Sequence, residues 1–180
     1  MVLDIPLGRD VSHTRLLDKN FKTMMPKALF QCGLATLALV AILFIESAVF
    51  RAAIVVAIAS SAFINFVVPH SVAASSRRVL GGHIVAVIVG SAIAASLDLP
   101  GIGDLATETS HFRSMAAAIS VGISTLIMVA TDTEHPTAAG TALGLVIPDW
   151  SFGSVIFILS AALILSTVRA LLLPKLTNLL

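Results

Sequence analysis

Five apolar runs, each close to the length of a membrane-crossing helix, constrain this chain more than any other feature. Ala28–Ile45, Ala52–Val68, Ile84–Leu97, Met115–Ala130 and Phe152–Leu173 are almost free of charge. A bilayer core about 30 Å thick needs roughly 20 residues of helix to cross it. In lipid every backbone polar group must be bonded within the protein, so such runs form helices. The third run is short unless Val79–His83 opens its helix. Thr137–Ile147 is apolar too, but its eleven residues suit a half-helix that enters protein-lined space. The expected architecture is an all-α membrane protein: a bundle of five long transmembrane helices plus one short broken or half-helix element. Residues 1–27 form an N-terminal segment and residues 28–180 the transmembrane domain.

Composition agrees with this. The 180 residues are 57% hydrophobic and 12% charged, with a mean hydropathy of +1.01, where an average globular domain is about 25% charged. A net charge of +1 gives no reason to expect nucleic acid as a partner. Cys32 is the sole cysteine, which excludes a disulfide framework and a cysteine-built zinc site. Tyr is absent, so Trp150 alone serves as a large interfacial anchor. Met1–Lys27 mixes charges throughout and has no apolar region leading to a small-residue cleavage site, so it does not read as a secretory signal. Around "HTRLLDKNFKTMM" it is amphipathic, either an interfacial helix or a solvated tail.

Lys and Arg set the orientation. Arg9, Arg15, Lys19, Lys22 and Lys27 precede the first run and place the N-terminus in the cytoplasm. Arg51 then falls outside, Arg77 and Arg78 inside, and the loop with Asp98, Asp104 and Glu108 outside. Five crossings leave Arg169 and Lys175 outside; a sixth, made by the short element, brings them inside and fits the charge rule better. Small residues recur at helical spacing: Ala53/Ala57/Ser61/Asn65, Ala86/Gly90/Ala94, Ala116/Ser120/Ser124 and Gly140/Gly144. Such stripes let membrane helices approach closely. Asn65 stands apart, because a buried amide at membrane depth needs a partner.

Two segments resemble each other. Each runs from an Arg (51 or 113) through an apolar span to a His, then to His70-Ser-Val-Ala-Ala-Ser or His135-Pro-Thr-Ala-Ala-Gly. Duplicated units are common in transporters, which bind at the interface between them, although Ala-rich spans also match by chance. A true duplication would bring the two histidine segments to one site.

Two polar clusters carry the chemistry. In the first, Pro69 closes the second run, and His70, Ser71, Ser75, Ser76, Arg77, Arg78, Gly81, Gly82 and His83 follow. A helix starting after the glycines would expose free N–H groups beside two guanidiniums, a place suited to a small oxyanion. The competing reading makes Arg77 and Arg78 anchors to lipid phosphates. In the second cluster, "TDTEHP", Thr131 and Glu134 have capping-box spacing and Pro136 fits the first turn of a new helix. His135 precedes a proline and is pushed out of helical geometry. The chain is therefore expected to run helix, break at Asp132–His135, half-helix, with Thr137 and Thr141 offering hydroxyls. Discontinuous helices of this kind hold ions in transporters. Asp132, Glu134 and His135 do carry metal-ligating atoms, but their spacing on a proline-broken turn defines no metal site, and none is expected.

"EHPTAAGTALGL" together with "RRVLGGHIVAVIVG" resembles the HPP family of integral membrane proteins, over roughly Ala52 to Leu173. His135, Pro136, Thr141, Ala142 and Leu143 match its His-Pro-Pro motif region, and Arg77, Gly81, Gly82 and His83 match its upstream Gly-Gly-His stretch. Thr137 stands where the family has a second proline, Arg78 where it has Asn, and Ala139-Gly140 is shifted. The resemblance implies a multi-pass, transporter-like protein; plant members are associated with nitrite transport across the plastid envelope.

The leading functional reading is a transporter or channel for a small monovalent anion, nitrite being the named candidate, with a proton as the candidate coupling partner. Candidate binding residues are Asn65, His70, Ser71, Arg77, Arg78, Gly81, Gly82, His83, His135, Pro136, Thr137, Gly140 and Thr141. Candidate proton carriers are His70, His83, Glu134 and His135. The expected partners are an inorganic anion and membrane lipid, with a homo-oligomer, in particular a dimer, and a bacterial inner membrane as the setting. An enzyme is not expected, since HExxH, GxSxG and P-loop motifs are absent, and no cofactor is called for. A cation pathway through Asp132, Glu134 and Asp149, or a structural or assembly role, is the alternative.

Overall fold

The computed structural model describes residues 26–27, 29–31, 33, 52–100, 102–103, 110–147 and 150–179. Residues 1–25, nearly all of the first apolar run, Cys32, Arg51, Asp104, Glu108 and Asp149 lie outside the described residues, and with them the expectations placed there. The described elements are α1 (Ala52–Val67), a 3-10 turn (Val72–Ala74), α2 (Ser76–Ser96), α3 (Ser110–Thr131), α4 (Ala138–Val146) and α5 (Phe152–Leu172), which a second 3-10 turn (Leu173–Lys175) extends. They include no strand.

Three helices are long and apolar enough to cross a membrane: Ser76–Ser96, Phe112–Thr131 and Phe152–Lys175. A shorter apolar helix covers Ala53–Val67. Of the four expected long helices that fall among the described residues, three are of membrane-crossing length and α1 is shorter. The third run does not start at Ile84. Ser75 is extended (φ −61, ψ 141) and its carbonyl accepts from the Arg78 and Val79 N–H groups at 2.9 Å, so the helix begins at Ser76. Its first two turns are polar because they lie at one end of the bundle, and counting apolar residues passes over them.

Hydrogen bonds give the direction of each segment. Arg77 Nη2 donates to the Thr131 carbonyl (2.9 Å), pairing the start of α2 with the end of α3. Arg113 Nη1 donates to the Ile147 carbonyl (3.3 Å), pairing the start of α3 with the residue after α4. Between Thr131 and Ile147 the chain thus returns to the end it left. The short element, with the stretch before it, runs from one end of the bundle to the other.

α4 is the hub. Ala138, Thr141, Ala142, Gly144, Leu145 and Val146 are buried over more than half of its circumference, and each apolar cluster of the interior includes it. Leu145 joins Ile54, Ile58, Phe157 and Leu165; Ala138 and Ala142 join Ala86 and Met128; Val146 joins Leu97 and Ala117. Such central packing needs small residues. A Cβ on Gly144 would lie 2.7 Å from Ile54 Cγ1, one on Gly140 3.1 Å from Ala57 Cβ, and one on Gly90 3.1 Å from the Ala142 carbonyl oxygen. The GxxxG of α4 therefore packs on α1, as small-residue spacing implies.

The C-terminal end of α1 is closed from a distance. Its last carbonyls have no partner within the helix; Gln31 Nε2 donates to that of Phe66 (2.6 Å) and the Leu179 N–H to that of Val67 (2.8 Å). Arg169, buried in α5, donates to the Pro69 carbonyl from Nε (2.9 Å) and from Nη2. Read from sequence as a terminal charge, Arg169 is an interior clamp, placed where a cation also favours the negative end of the helix dipole.

α3 ends in a Schellman motif. The Thr133 N–H bonds to the Met128 carbonyl (2.9 Å) and the Asp132 N–H to that of Val129 (3.4 Å), with Asp132 left-handed at φ 55. Asp tolerates that conformation better than most side chains. The capping box between Thr131 and Glu134 does not form: Thr131 Oγ1 donates to the Ile127 carbonyl, and Glu134 is held by Arg78.

Candidate functional site

From the left-handed turn, residues 133–135 run down across α2, and Gly81 and Gly82 make room for them. A Cβ on Gly81 would stand 2.5 Å from Thr133 Cγ2, and one on Gly82 2.7 Å from His135 Cβ. These glycines lie inside α2 rather than before it, so their N–H groups belong to the helix. They position the break and offer no anion cradle.

The descent delivers His135 to the interior. Ala138 and Gly140 N–H groups bond to the His135 and Thr137 carbonyls (2.9 and 3.1 Å), which tightens the turn into α4. Pro136 sits in that first turn, where its missing N–H costs nothing. Ser61 is six residues from the end of α1 and His83 seven from the start of α2, so the site lies about 10 Å inside the bundle at 1.5 Å per residue.

Ser61 Oγ is the centre. His83 Nε2 and His135 Nε2 both stand 3.0 Å from it, Thr137 Oγ1 2.6 Å and the Ala57 carbonyl 3.0 Å. Outward from these, His83 Nδ1 is 3.0 Å from Thr141 Oγ1, and His135 Nδ1 is 2.9 Å from the Ala73 carbonyl. The two rings meet edge to face with centroids 5.3 Å apart. Ser61, His83, His135 and Thr141 are all fully buried.

The proton positions follow from the partners. A carbonyl only accepts, so His135 carries its hydrogen on Nδ1 toward Ala73, and Nε2 of the neutral ring is an acceptor. Ser61 has one hydrogen, which reaches either His135 Nε2 or the Ala57 carbonyl; turned to His135, it leaves the oxygen to accept from His83 Nε2–H, whose Nδ1 accepts in turn from the Thr141 hydroxyl. One added proton changes this order. A doubly protonated His135 donates to Ser61, Ser61 turns its hydrogen to the Ala57 carbonyl, and His83 keeps its own on Nε2 toward Ser61. No heavy atom has to move. Two imidazoles at this separation hold one positive charge between them, not two. His135 lies in the break between spans, and burial pushes its imidazole below its ordinary value, partly opposed by the bond to Ala73.

The other candidates sit elsewhere. Arg78 donates to Glu134 and Asp132, while Arg77, largely exposed, stands 3.7 Å from Asp132. Two cations and two carboxylates cancel there. His70 is exposed, with Nε2 2.9 Å from the Leu176 carbonyl and its N–H bonded to Asn178 Oδ1. Its segment still reaches the site, through the Ala73 carbonyl. Ser71 Oγ is buried without a partner among the described residues, as is Asn65 Oδ1, whose amide nitrogen donates to the Ser61 carbonyl (2.9 Å). Pro136 and Glu134 line a pocket of about 300 Å³ with Thr125, Met128, His135 and Ala139. No group of three or more His, Cys, Asp or Glu side chains suited to a metal occurs among the described residues. Sequence reading passed over Ser61, counting it only as a small residue. A hydroxyl one turn before the buried amide of Asn65, in an otherwise apolar span, was the available signal.

A helical bundle with three membrane-length helices, a broken helix at its centre and a buried polar network defines an integral membrane protein of the multi-pass class. More specifically, residues 21–178 match the family described as HPP, transmembrane region, and the chain belongs to that family. It is similar to a transmembrane protein of Dictyostelium discoideum, 34% identical over 85 residues, which are 47% of this chain and 27% of that protein. The chain thus spans about a quarter of that relative's length. No solved structure matches it.

Proposed function

We propose that this chain is a membrane transporter or channel for a small monovalent anion, nitrite being the named candidate, with His83 and His135 carrying a coupled proton. One observation carries the reading: two imidazoles and the Thr137 hydroxyl converge on Ser61 inside a largely apolar bundle, with the Thr141 hydroxyl behind His83. Polar and ionisable groups at such depth are costly and mark ion or proton pathways, and they lie where a broken helix enters the bundle. The resemblance of the His-Pro and Gly-Gly-His segments to a family with nitrite-associated members supplies the substrate.

The same reading puts the end carrying Arg77, Arg78 and Lys175 in the cytoplasm. Lys27, one turn before Gln31, supports this, because the Gln31 side chain is bonded at that end to Phe66 and Thr177. Asp98 lies at the opposite end, past the last turn of α2. A bacterial inner membrane is the proposed setting and a dimer the proposed unit. α3 supports the dimer, since it turns Ile119, Gly122 and Ile123 outward with nothing within 4 Å of a Cβ on Gly122.

The test is nitrite uptake by the purified protein in liposomes. Wild type should exceed protein-free liposomes, and His83→Gln and His135→Gln should each lower uptake at least about tenfold, more than 1.4 kcal/mol of lost stabilisation. Lys175→Gln, at an exposed position, should leave it unchanged. Uptake equal in wild type and both histidine variants would remove the site from the pathway.

A further inference from the structure

We infer that the site accepts an anion only together with one proton, so the cargo crosses the bundle as an electrically neutral unit. This deepens the proposed function and rests on its anion reading. The ground is the charge inventory around Ser61, taken element by element among the described residues. α1 and α4 contain no charged side chain, and neither does the 3-10 turn that supplies Ala73. α3 contributes no charge near its last turn, since Arg113 is at its far end, on Ile147. In α5, Arg169 is committed to the Pro69 carbonyl. At the start of α2, Arg78 is taken up by Asp132 and Glu134, and Arg77 faces outward beside Asp132. His83 and His135 are left.

An anion against Ser61 would therefore be a lone charge in a low-dielectric interior, and desolvation makes that state prohibitive unless the charge is compensated. No fixed cation near the site among the described residues is free to do so. A proton can, because one added proton on His135 Nε2 is accommodated by turning the Ser61 hydroxyl to the Ala57 carbonyl. The new N–H bond forms on His135, or an O–H bond forms on the anion, and nothing else changes covalently. With His135 charged, Ser61 no longer holds its hydrogen toward that ring. Asn65 adds a second, independent indication. Its Oδ1 is fully buried one turn from Ser61 without a donor among the described residues, and an acid's O–H, unlike a bare anion, supplies one. The same inventory offers a cation no free carboxylate among the described residues near Ser61, since both at the edge are engaged by Arg78.

The experiment uses the full chain in liposomes with nitrite as the probe and a pH dye inside. Potassium and valinomycin set the membrane potential independently of the pH gradient, and protein-free liposomes give the background for acid leaking through lipid. Protons and nitrite should enter in a ratio of one. An acidic exterior should raise the accumulation of nitrite about tenfold per pH unit. A potential of about 100 mV should leave accumulation unchanged, whereas an anion moving alone would shift about fiftyfold. Protein-dependent nitrite flux that follows the potential, or that moves no protons, overturns the neutral-unit inference and leaves the anion reading standing. Absence of protein-dependent nitrite flux, or potassium flux in its place, overturns both.

Discussion

Ser61 Oγ and His135 Nε2, from residues 74 positions apart, face each other at 3.0 Å with a proton position between them. Removing the hydroxyl leaves both imidazole Nε2 atoms without their shared partner, at a cost of about 1–3 kcal/mol for each buried polar group so orphaned. Ser61→Ala should lower the thermal stability of the purified protein and reduce nitrite uptake at least about tenfold. Ser61→Thr, which keeps the hydroxyl, should retain more of both. An Ala variant with wild-type uptake would show that Ser61 is packing alone.

Gly82 and Gly122 are both helical glycines, but only the first has a neighbour. Gly82→Ala would put a methyl 2.7 Å from His135 Cβ and 3.1 Å from the Thr133 carbonyl oxygen, whereas Gly122→Ala meets nothing within 4 Å. The expected result is a destabilisation of about 1–3 kcal/mol from overpacking at Gly82, with uptake lost as His135 is displaced. At Gly122 the change should be neutral or slightly stabilising, since Ala is the better helix former. Thermal unfolding of the two variants side by side decides it.

Arg78 joins α2 to the break through Asp132 and Glu134, and Arg77 does not share that position. Arg78→Glu should destabilise the protein by forcing three carboxylates together, and adding Glu134→Arg should restore part of the loss, the signature of a direct pair in a double-mutant cycle. Arg77→Gln should shift stability by no more than about 0.5 kcal/mol, as exposed positions do. A large uptake defect in Arg77→Gln would return Arg77 to the anion contact that the sequence alone suggested.

His135 gives stability a pH dependence whose sign is fixed. Its ordinary value is 6.5, which the unfolded chain keeps, and burial lowers it in the folded protein. Between those two values the unfolded state binds the proton and the folded state does not, so stability falls as pH falls. The thermal midpoint in detergent should be level above about pH 7 and decline from about pH 6.5 downward. Nitrite should lessen the decline, because it enters with the proton that the folded site otherwise resists. A midpoint independent of pH from 8 to 5 would remove His135 as the titrating group.

What the sequence by itself determined were the properties that depend on neighbours along the chain. Run length against bilayer thickness located the four helical segments that fall among the described residues; the stretch His135-Pro136 predicted the break, because a residue before proline leaves the helical region; Gly140 and Gly144 predicted a close-packing face. His83 and His135 stood out as ionisable groups beside apolar spans. The tertiary structure decided which of the remaining polar residues are available. It brought Ser61 of α1 between two histidines, set His70 aside on the C-terminal segment, and turned Arg169 inward onto Pro69. It also cancelled Arg78 against Asp132 and Glu134, whose residues are more than fifty positions away. Those outcomes depend on burial and on charge pairing between distant segments. A hydroxyl in an Ala-rich span looks the same in sequence whether it meets lipid or a pair of imidazoles, and a guanidinium looks free until its carboxylate is placed beside it.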